Sequence, residues 1–157
     1  AIHETEIDID SIYGPAYKGI FLGSMVALIL SQQGKHYPLS FDRKEIKDHG
    51  EGGNIIGNNP NGNVMIIDDV LSAGTAARQS IELIKNIGAV PKVFVVGLDR
   101  QEKGSSEESA SSELQNDFGI IVKSIVNLDT LISFTKNDPS YVQHLDSLMA
   151  YREKWGT

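Results

Sequence analysis

The sequence predicts an α/β fold with a mainly parallel sheet flanked by helices. Three observations carry this. Short runs rich in Val and Ile alternate with helix-length segments. The runs Met65–Ile67 and Val93–Val96 are continuously apolar, as strands covered on both faces are. Gly, Pro, Asn or Asp bounds most of the runs. At 157 residues the chain is long enough for a single domain with its own core, spanning 1–157.

Taken in order, Ile7–Tyr13 reads as the first strand. It arrives almost at once, without a starting cap, so the chain reads as the later part of a longer protein. Gly19–Gln33 (GIFLGSMVALILSQQ) is apolar nearly throughout and predicts a helix buried on more than one side. His36–Phe41 is the second strand. Arg43–Asn63 breaks the rhythm, first charged and then rich in Gly and Asn; a loop of that length is a functional lid or a link. Asn63–Asp68 is the third strand. Thr75–Ala89 predicts an amphipathic helix with Ile81, Leu83, Ile84 and Ile87 on one face and Gly88 just past its end. Lys92–Leu98 and Gly119–Leu128 are further strands, separated by a weaker helix that ends at Gly119. The tail from Asp129 reads as helical, divided at Pro139.

Composition narrows the classes. Hydrophobic residues at 40% and charged residues at 22% suit a globular chain and argue against disorder. Cysteine is absent, which excludes disulfides and thiolate zinc sites. The longest apolar run, Met25–Leu30, is too short to span a bilayer, and the first residues do not read as a signal peptide. A net charge of −7 disfavours a nucleic-acid footprint spread over the surface. It leaves room for a local cationic pocket.

The segment VMIIDDVLSAGTA, Val64–Ala76, is the richest in chemistry. In open parallel sheets, ligands bind beyond the carboxyl ends of the strands. Asp68 and Asp69 fall there, at the end of an apolar strand. Ser72, Gly74 and Thr75 form the following turn, and a helix starts near Thr75 or Ala76. Exposed N–H groups at a helix start favour an anion, and glycine admits close backbone approach. The Gly-Lys-Ser/Thr core of a Walker loop is absent, so a nucleoside triphosphate is not the first reading. The acids repel a phosphate. They suit sugar hydroxyls or the support of a magnesium shell, so the pair beside a phosphate cradle suggests a sugar phosphate. Two other readings stand: the acids merely begin a turn and cap a helix, or they form the magnesium-binding pair of a receiver-like signalling domain.

Further segments add cations. In FDRKEIKDHGEGGN, Arg43, Lys44, Lys47 and His49 precede Gly50, Gly52 and Gly53, inside a chain that is otherwise acidic. A solvated loop partly neutralised by Glu45, Asp48 and Glu51 is the plain reading. A mobile cationic lid for a departing pyrophosphate is the functional one. In YGPAYKG, Tyr13–Gly19, Lys18 follows a strand-to-helix turn where it reaches an anion or simply solvent. Arg100 follows a buried strand, and either pairs with Asp99 or grips a planar carboxylate through its guanidinium fork. His3, His36 and His144 show no metal spacing.

Together YGPAYKG, FDRKEIKDHGEGGN, VMIIDDVLSAGTA and GLDRQEKG, in this order and down to the terminal YREKWG, resemble the orotate phosphoribosyltransferases. The resemblance implies a type I phosphoribosyltransferase (Rossmann-like) core with a long flexible catalytic loop, cytoplasmic and acting in UMP biosynthesis. It implies magnesium-dependent transfer of ribose 5-phosphate from phosphoribosyl pyrophosphate to N1 of orotate, giving orotidine 5′-monophosphate and pyrophosphate. It places Asp68 and Asp69 against the ribose hydroxyls and Val70, Leu71, Ser72, Ala73, Gly74, Thr75 and Ala76 around the 5-phosphate. Ser72 stands where the family often has Thr, and also contacts orotate. Tyr17 and Lys18 match a pair that touches the donor. Arg43, Lys44, Lys47 and His49 match the mobile loop, with Lys47 as the main contact of the leaving group. Arg100 matches the arginine that holds orotate. Magnesium is expected to be held mainly by the donor rather than by side chains, and the protein to be a homodimer whose loop Arg43–Gly53 works in the partner's site. The family also has an N-terminal helical hood with a lysine and an aromatic pair, to which nothing in this sequence corresponds. A non-catalytic sensor of phosphoribosyl pyrophosphate on the same fold is the alternative that the resemblance leaves.

Overall fold

The computed structural model describes residues 8–43 and 55–157. Among these residues six strands form one sheet in the order β3-β2-β1-β4-β5-β6. They are β1 Ser11–Gly14, β2 Leu39–Asp42, β3 Ile55–Gly57, β4 Asn63–Leu71, β5 Val90–Asp99 and β6 Ile121–Asn127. All neighbours pair parallel except β2 and β3. The helices are α1 Lys18–Gln32, α2 Thr75–Asn86, α3 Ala110–Phe118, α4 Leu128–Asn137 and α5 Leu145–Trp155, with a 3₁₀ turn at Val142–His144 before α5. The α/β class and the parallel sheet follow the expectation, and so does the division of the helical tail near Pro139.

The two faces of the sheet carry separate cores, which explains the unbroken apolar runs. Val64, Ile66, Phe94 and Val96 point to one face, where Ile81 and Ile84 of α2 and Leu114 of α3 cover them. Met65, Ile67, Val93 and Val95 point to the other, against Leu30 and the half-buried Leu22 and Val26 of α1. Alternate residues on one strand face opposite sides, so a strand roofed on both sides must be apolar at every position.

Five expectations are corrected. The first strand begins at Ser11 rather than Ile7; Asp10 instead takes the N–H of Asn63 on its carboxylate, at 2.7 Å, and donates its own N–H to the Asn63 carbonyl. The third predicted strand does not stop at Asp68. It runs through both acids to Leu71, because β5 pairs with it as far as Asp99. Helix α1 is not buried on several sides: Phe21, Met25 and Leu28 are each more than half exposed, and only Gly19, Gly23 and Leu30 are buried. In α2 the buried face is Ala77, Ser80, Ile81 and Ile84, while Leu83 is half-buried and Ile87, just past the helix end, is exposed. Strand β3, within the segment read as a loop, was not anticipated; its three residues, ending at a glycine, are too few to show a period.

Glycines end two helices as read. Gly88 and Gly119 adopt positive φ at the close of α2 and α3.

Candidate active site

The topology puts the site between β1 and β4. From β1 the chain moves outward to β2, whereas from β4 it moves the other way to β5. The turns that leave the carboxyl ends of β1 and β4 therefore diverge and open a crevice, the place where such sheets bind ligands. The first turn carries Tyr17 and Lys18, and the second carries Ser72–Gly74. Arg100, at the end of β5, lies on the same edge; its N–H donates to the Leu71 carbonyl at 2.9 Å.

Two glycines allow the β1–α1 turn to press against the sheet. A Cβ at Gly14 would sit 2.2 Å from the Gly19 carbonyl oxygen, and one at Gly19 would sit 2.7 Å from the Ile67 carbonyl oxygen. The turn is fixed further by Asp42 at the end of β2, whose Oδ1 accepts the Ala16 N–H at 2.6 Å. This packing delivers Lys18 to the acidic pair, and its Nζ donates to Asp69 Oδ2 at 2.6 Å. Asp68 Oδ1 accepts the Asp69 N–H at 2.8 Å.

The two acids are electrostatically unlike. Burial pushes the Asp68 carboxyl up to about 6, with the charge of Asp69 adding to the rise and the Asp69 N–H opposing it. Partial burial also works to raise Asp69, but the hydrogen bond and charge of Lys18 outweigh it and hold that carboxyl below its ordinary value. Lys18 is correspondingly raised, first by its hydrogen bond to Asp69. The positive charge of Arg100 works against that rise, so the two cations share one rim.

Beyond Leu71 the chain turns through Ser72, Ala73 and Gly74 into α2. Gly74 caps the helix in the left-handed region, φ 85°, and among the described residues no side chain caps the first N–H groups. The first intrahelical donor is Arg78, to the Gly74 carbonyl at 2.9 Å. The N–H groups of the first turn thus end at the crevice with the positive end of the helix dipole behind them, and Thr75 and Ala76 are exposed. A cavity of about 460 Å³ separates this first turn from the β1–α1 turn, with Ala76 and Gln79 on one side and Pro15, Asp42 and Arg43 on the other. The buried Tyr13 hydroxyl beside it has no hydrogen-bond partner among the described residues. Burial and the neighbouring Asp42 carboxylate raise that phenol far beyond physiological pH, so it stays neutral.

Of the residues expected in the site, Tyr17, Lys18, Arg43, Asp68, Asp69, Val70–Ala76 and Arg100 all lie on this one edge. Lys44, Lys47 and His49 lie outside the described residues. Arg100 is paired not with Asp99 but with Glu102, Nη1 to Oε1 at 3.5 Å; Asp99 instead accepts the Gln101 N–H at 2.8 Å. Asp42, Glu102 and Tyr151 were missed. Their partners are 26, 2 and 51 residues away, and no local period marks such contacts. Among the described residues no group of three or more His, Asp or Glu side chains is placed to hold a metal.

This arrangement offers a sugar phosphate an anion cradle, two acids for its hydroxyls and cations on either side. No protein-family model matches the chain. A relative from Marinobacter nauticus named orotate phosphoribosyltransferase is 46% identical over 156 residues, 99% of this chain and 74% of that protein. The chain belongs to the orotate phosphoribosyltransferase family. A second relative of the same name, from Laribacter hongkongensis, is also 46% identical, with 99% of this chain and 73% of that protein covered. Among solved structures, the orotate phosphoribosyltransferase of Francisella tularensis superposes with a TM-score of 0.78 at 34% identity, over 99% of this chain and 75% of that one. The six-stranded, largely parallel sheet is the fold of this family.

Proposed function

We propose that the protein transfers ribose 5-phosphate from phosphoribosyl pyrophosphate to N1 of orotate, releasing pyrophosphate, in the penultimate step of UMP synthesis. The observation that carries this is the single sheet edge on which the bare N-terminus of α2, the Asp68–Asp69 pair with Lys18, and Arg100 converge. On this reading residues 1–157 act as one core domain, and the family resemblance supports a cytoplasmic site of action. No helix among the described residues is long and apolar enough to cross a membrane.

Each group has a task. The 5-phosphate sits at the Val70–Ala76 segment, on the N–H groups that open α2, helped by the hydroxyls of Ser72 and Thr75. Asp68 and Asp69 accept hydrogen bonds from the ribose hydroxyls. Tyr17 and Lys18 contact the donor's pyrophosphate, with Arg43, Lys44, Lys47 and His49 closing over it. Arg100 and Ser72 hold orotate, the guanidinium fork matching its planar carboxylate. As the bond between C1 of the ribose and the pyrophosphate oxygen breaks, positive charge builds on the sugar ring and negative charge on the leaving group. Acids on the sugar side and cations on the other oppose both changes, and no covalent nucleophile is required. Lys47 makes the main contact with the leaving group.

A pair of adjacent carboxylates suits a magnesium ion bound by one or two acids together with substrate phosphates. Asp68 and Asp69 would be its protein neighbours, and the ion would supply charge neutralisation on the pyrophosphate. The exposed apolar stripe Phe21, Met25 and Leu28 on α1 supports a homodimer, in which the loop Arg43–Gly53 serves the partner's site.

The test is direct. Orotate absorbance should fall when the complete protein meets phosphoribosyl pyrophosphate and magnesium. Turnover of adenine, hypoxanthine or uracil in place of orotate would overturn the assignment.

A further inference from the structure

Arg100 stands against a scaffold built from the other end of the chain. The segment after it, Gln101–Lys103, is stitched to the end of α5: Lys103 N–H donates to the Trp155 carbonyl at 2.9 Å, Thr157 N–H to the Gln101 carbonyl at 3.2 Å, and Glu102 bridges to Gly156. Gln101 holds a positive φ of 50°, rare for a residue with a side chain. That conformation is kept by the Asp99 carboxylate on its N–H and by a two-way exchange with Asp129, Gln101 Nε2 to Oδ2 at 3.0 Å and Asp129 N–H to Gln101 Oε1 at 2.8 Å. Arg152 of α5 pairs with the same Asp129.

The side chains follow this frame. Tyr151 of α5 donates its hydroxyl to Glu102 Oε1 in a short contact. The same carboxylate oxygen faces Arg100 Nη1 at 3.5 Å, and the Tyr151 oxygen also lies 3.5 Å from Nη1. A free carboxylate beside a guanidinium closes to about 2.7–2.9 Å and takes two N–H groups of the fork. Here Glu102, only 14% exposed and next to Arg100, pairs with it at 3.5 Å through one oxygen and one nitrogen. Its near oxygen is shared between the tyrosine hydroxyl and Nη1, so the contact with the arginine is single and long instead of the two short bonds of a fork-on-fork pair.

We propose that Tyr151 is a positioning residue for Arg100: its hydroxyl occupies Glu102 and so keeps the guanidinium fork open for the carboxylate of the acceptor substrate. Among the described residues both side-chain contacts of the guanidinium fall on Nη1 rather than on the rest of the fork. This rests on the reading of Arg100 as the orotate contact and adds to it the device that prevents Glu102 from capturing that arginine. The C-terminal helix thereby takes part in acceptor selection without touching substrate.

Steady-state kinetics on the complete protein test this with Tyr151→Phe, Glu102→Gln, the double variant, and Tyr151→Phe in an Arg100→Ala background. Wild-type turnover of orotate first establishes the underlying reading; its failure would remove that reading and this proposal with it, whereas turnover followed by any contrary outcome below removes the proposal alone. Given turnover, Tyr151→Phe should raise KM for orotate about five- to tenfold, leaving kcat and KM for phosphoribosyl pyrophosphate within about twofold. Adding Glu102→Gln should bring the orotate KM back to within about twofold of the Glu102→Gln value, because a neutral amide has no charge with which to clamp the arginine. In the Arg100→Ala background Tyr151→Phe should change nothing further. An unchanged orotate KM in Tyr151→Phe, an equal rise in both KM values, or no rescue by Glu102→Gln would overturn the proposal. If the double variant does not fold, a further effect of Tyr151→Phe in the Arg100→Ala background overturns it alone.

Discussion

Asp68 and Asp69 are neighbours in sequence with opposite ionisation behaviour. The difference lies in what each meets. Asp68 is partly buried, beside the apolar groove bounded by Leu22, Val26 and Ile67, whereas Asp69 meets Lys18. The consequence for stability has a definite sign. Asp68 moves from 3.8 when unfolded to about 6 when folded, so between these values the native state binds more protons. Stability from this group is therefore full below pH 4 and lost as the pH rises through 6. Asp69 has the reverse sign and loses its contribution only below its unfolded value, outside that window. Asp68→Asn should thus be more stable than wild type at pH 7.5, by about 1 to 2 kcal/mol after allowance for solvent screening of a partly exposed carboxylate. It should also flatten the fall between pH 4 and 6 in urea titrations. A wild-type curve that rises across that interval through Asp68 would contradict the assignment.

At the scale of elements, the start of α2 decides whether a phosphate has a seat. Its position is set by contacts remote from the crevice. Arg78 pairs with Glu113 and Asp117 of α3, at 2.5 and 2.6 Å, and Glu113 in turn accepts the N–H groups of Ser105 and Ser106. Gly74 is the sensitive point. Its φ of 85° is left-handed, and an added Cβ would lie 3.2 Å from the Cβ of Ala110 at the start of α3. Gly74→Ala should cost about 1 to 2 kcal/mol from the backbone conformation alone. It should also weaken inorganic phosphate binding, since relief of the strain rotates the first N–H groups away. Calorimetry of phosphate binding with a parallel denaturant titration separates the two effects; unaltered stability would show that the left-handed cap is not required.

Across the whole molecule, α1 presents Phe21, Met25 and Leu28 to solvent on a helix whose opposite side holds the sheet. The proposed homodimer would seat a second copy there, with the loop of each copy serving the partner's site. Two inactive variants test it: Lys47→Ala, and Asp68→Asn combined with Asp69→Asn. With loops acting in trans, each mixed dimer has one site with an intact loop and intact acids. Random exchange makes about half the dimers mixed, so activity should recover to roughly a quarter of wild type, assuming independent sites. No recovery, once a tag pull-down proves exchange, would reject the trans arrangement and leave the α2 cradle standing.

All the strands but β3, the helix order and the turn that leads from the acids into α2 were legible in the chain itself because their signals are local. Apolar runs such as Met65–Ile67, the acids that follow them, and Gly88 and Gly119 at helix ends all depend on a few consecutive residues. The family could also be read from motifs in order. What the chain alone could not reveal are pairings between distant segments. An apolar helix looks the same whether its second side is packed or bare, so the exposed face of α1 emerged only when the sheet had chosen the other side. The partner of Arg100 is a carboxylate two residues away and a phenol 51 residues away, not the adjacent Asp99. Asp42 holds a turn that lies 26 residues earlier. Local sequence sets which conformations are cheap; which side chains meet is settled by how the strands order themselves in the sheet, and it is that order which gathered Lys18, Asp69, the α2 terminus and Arg100 at one edge.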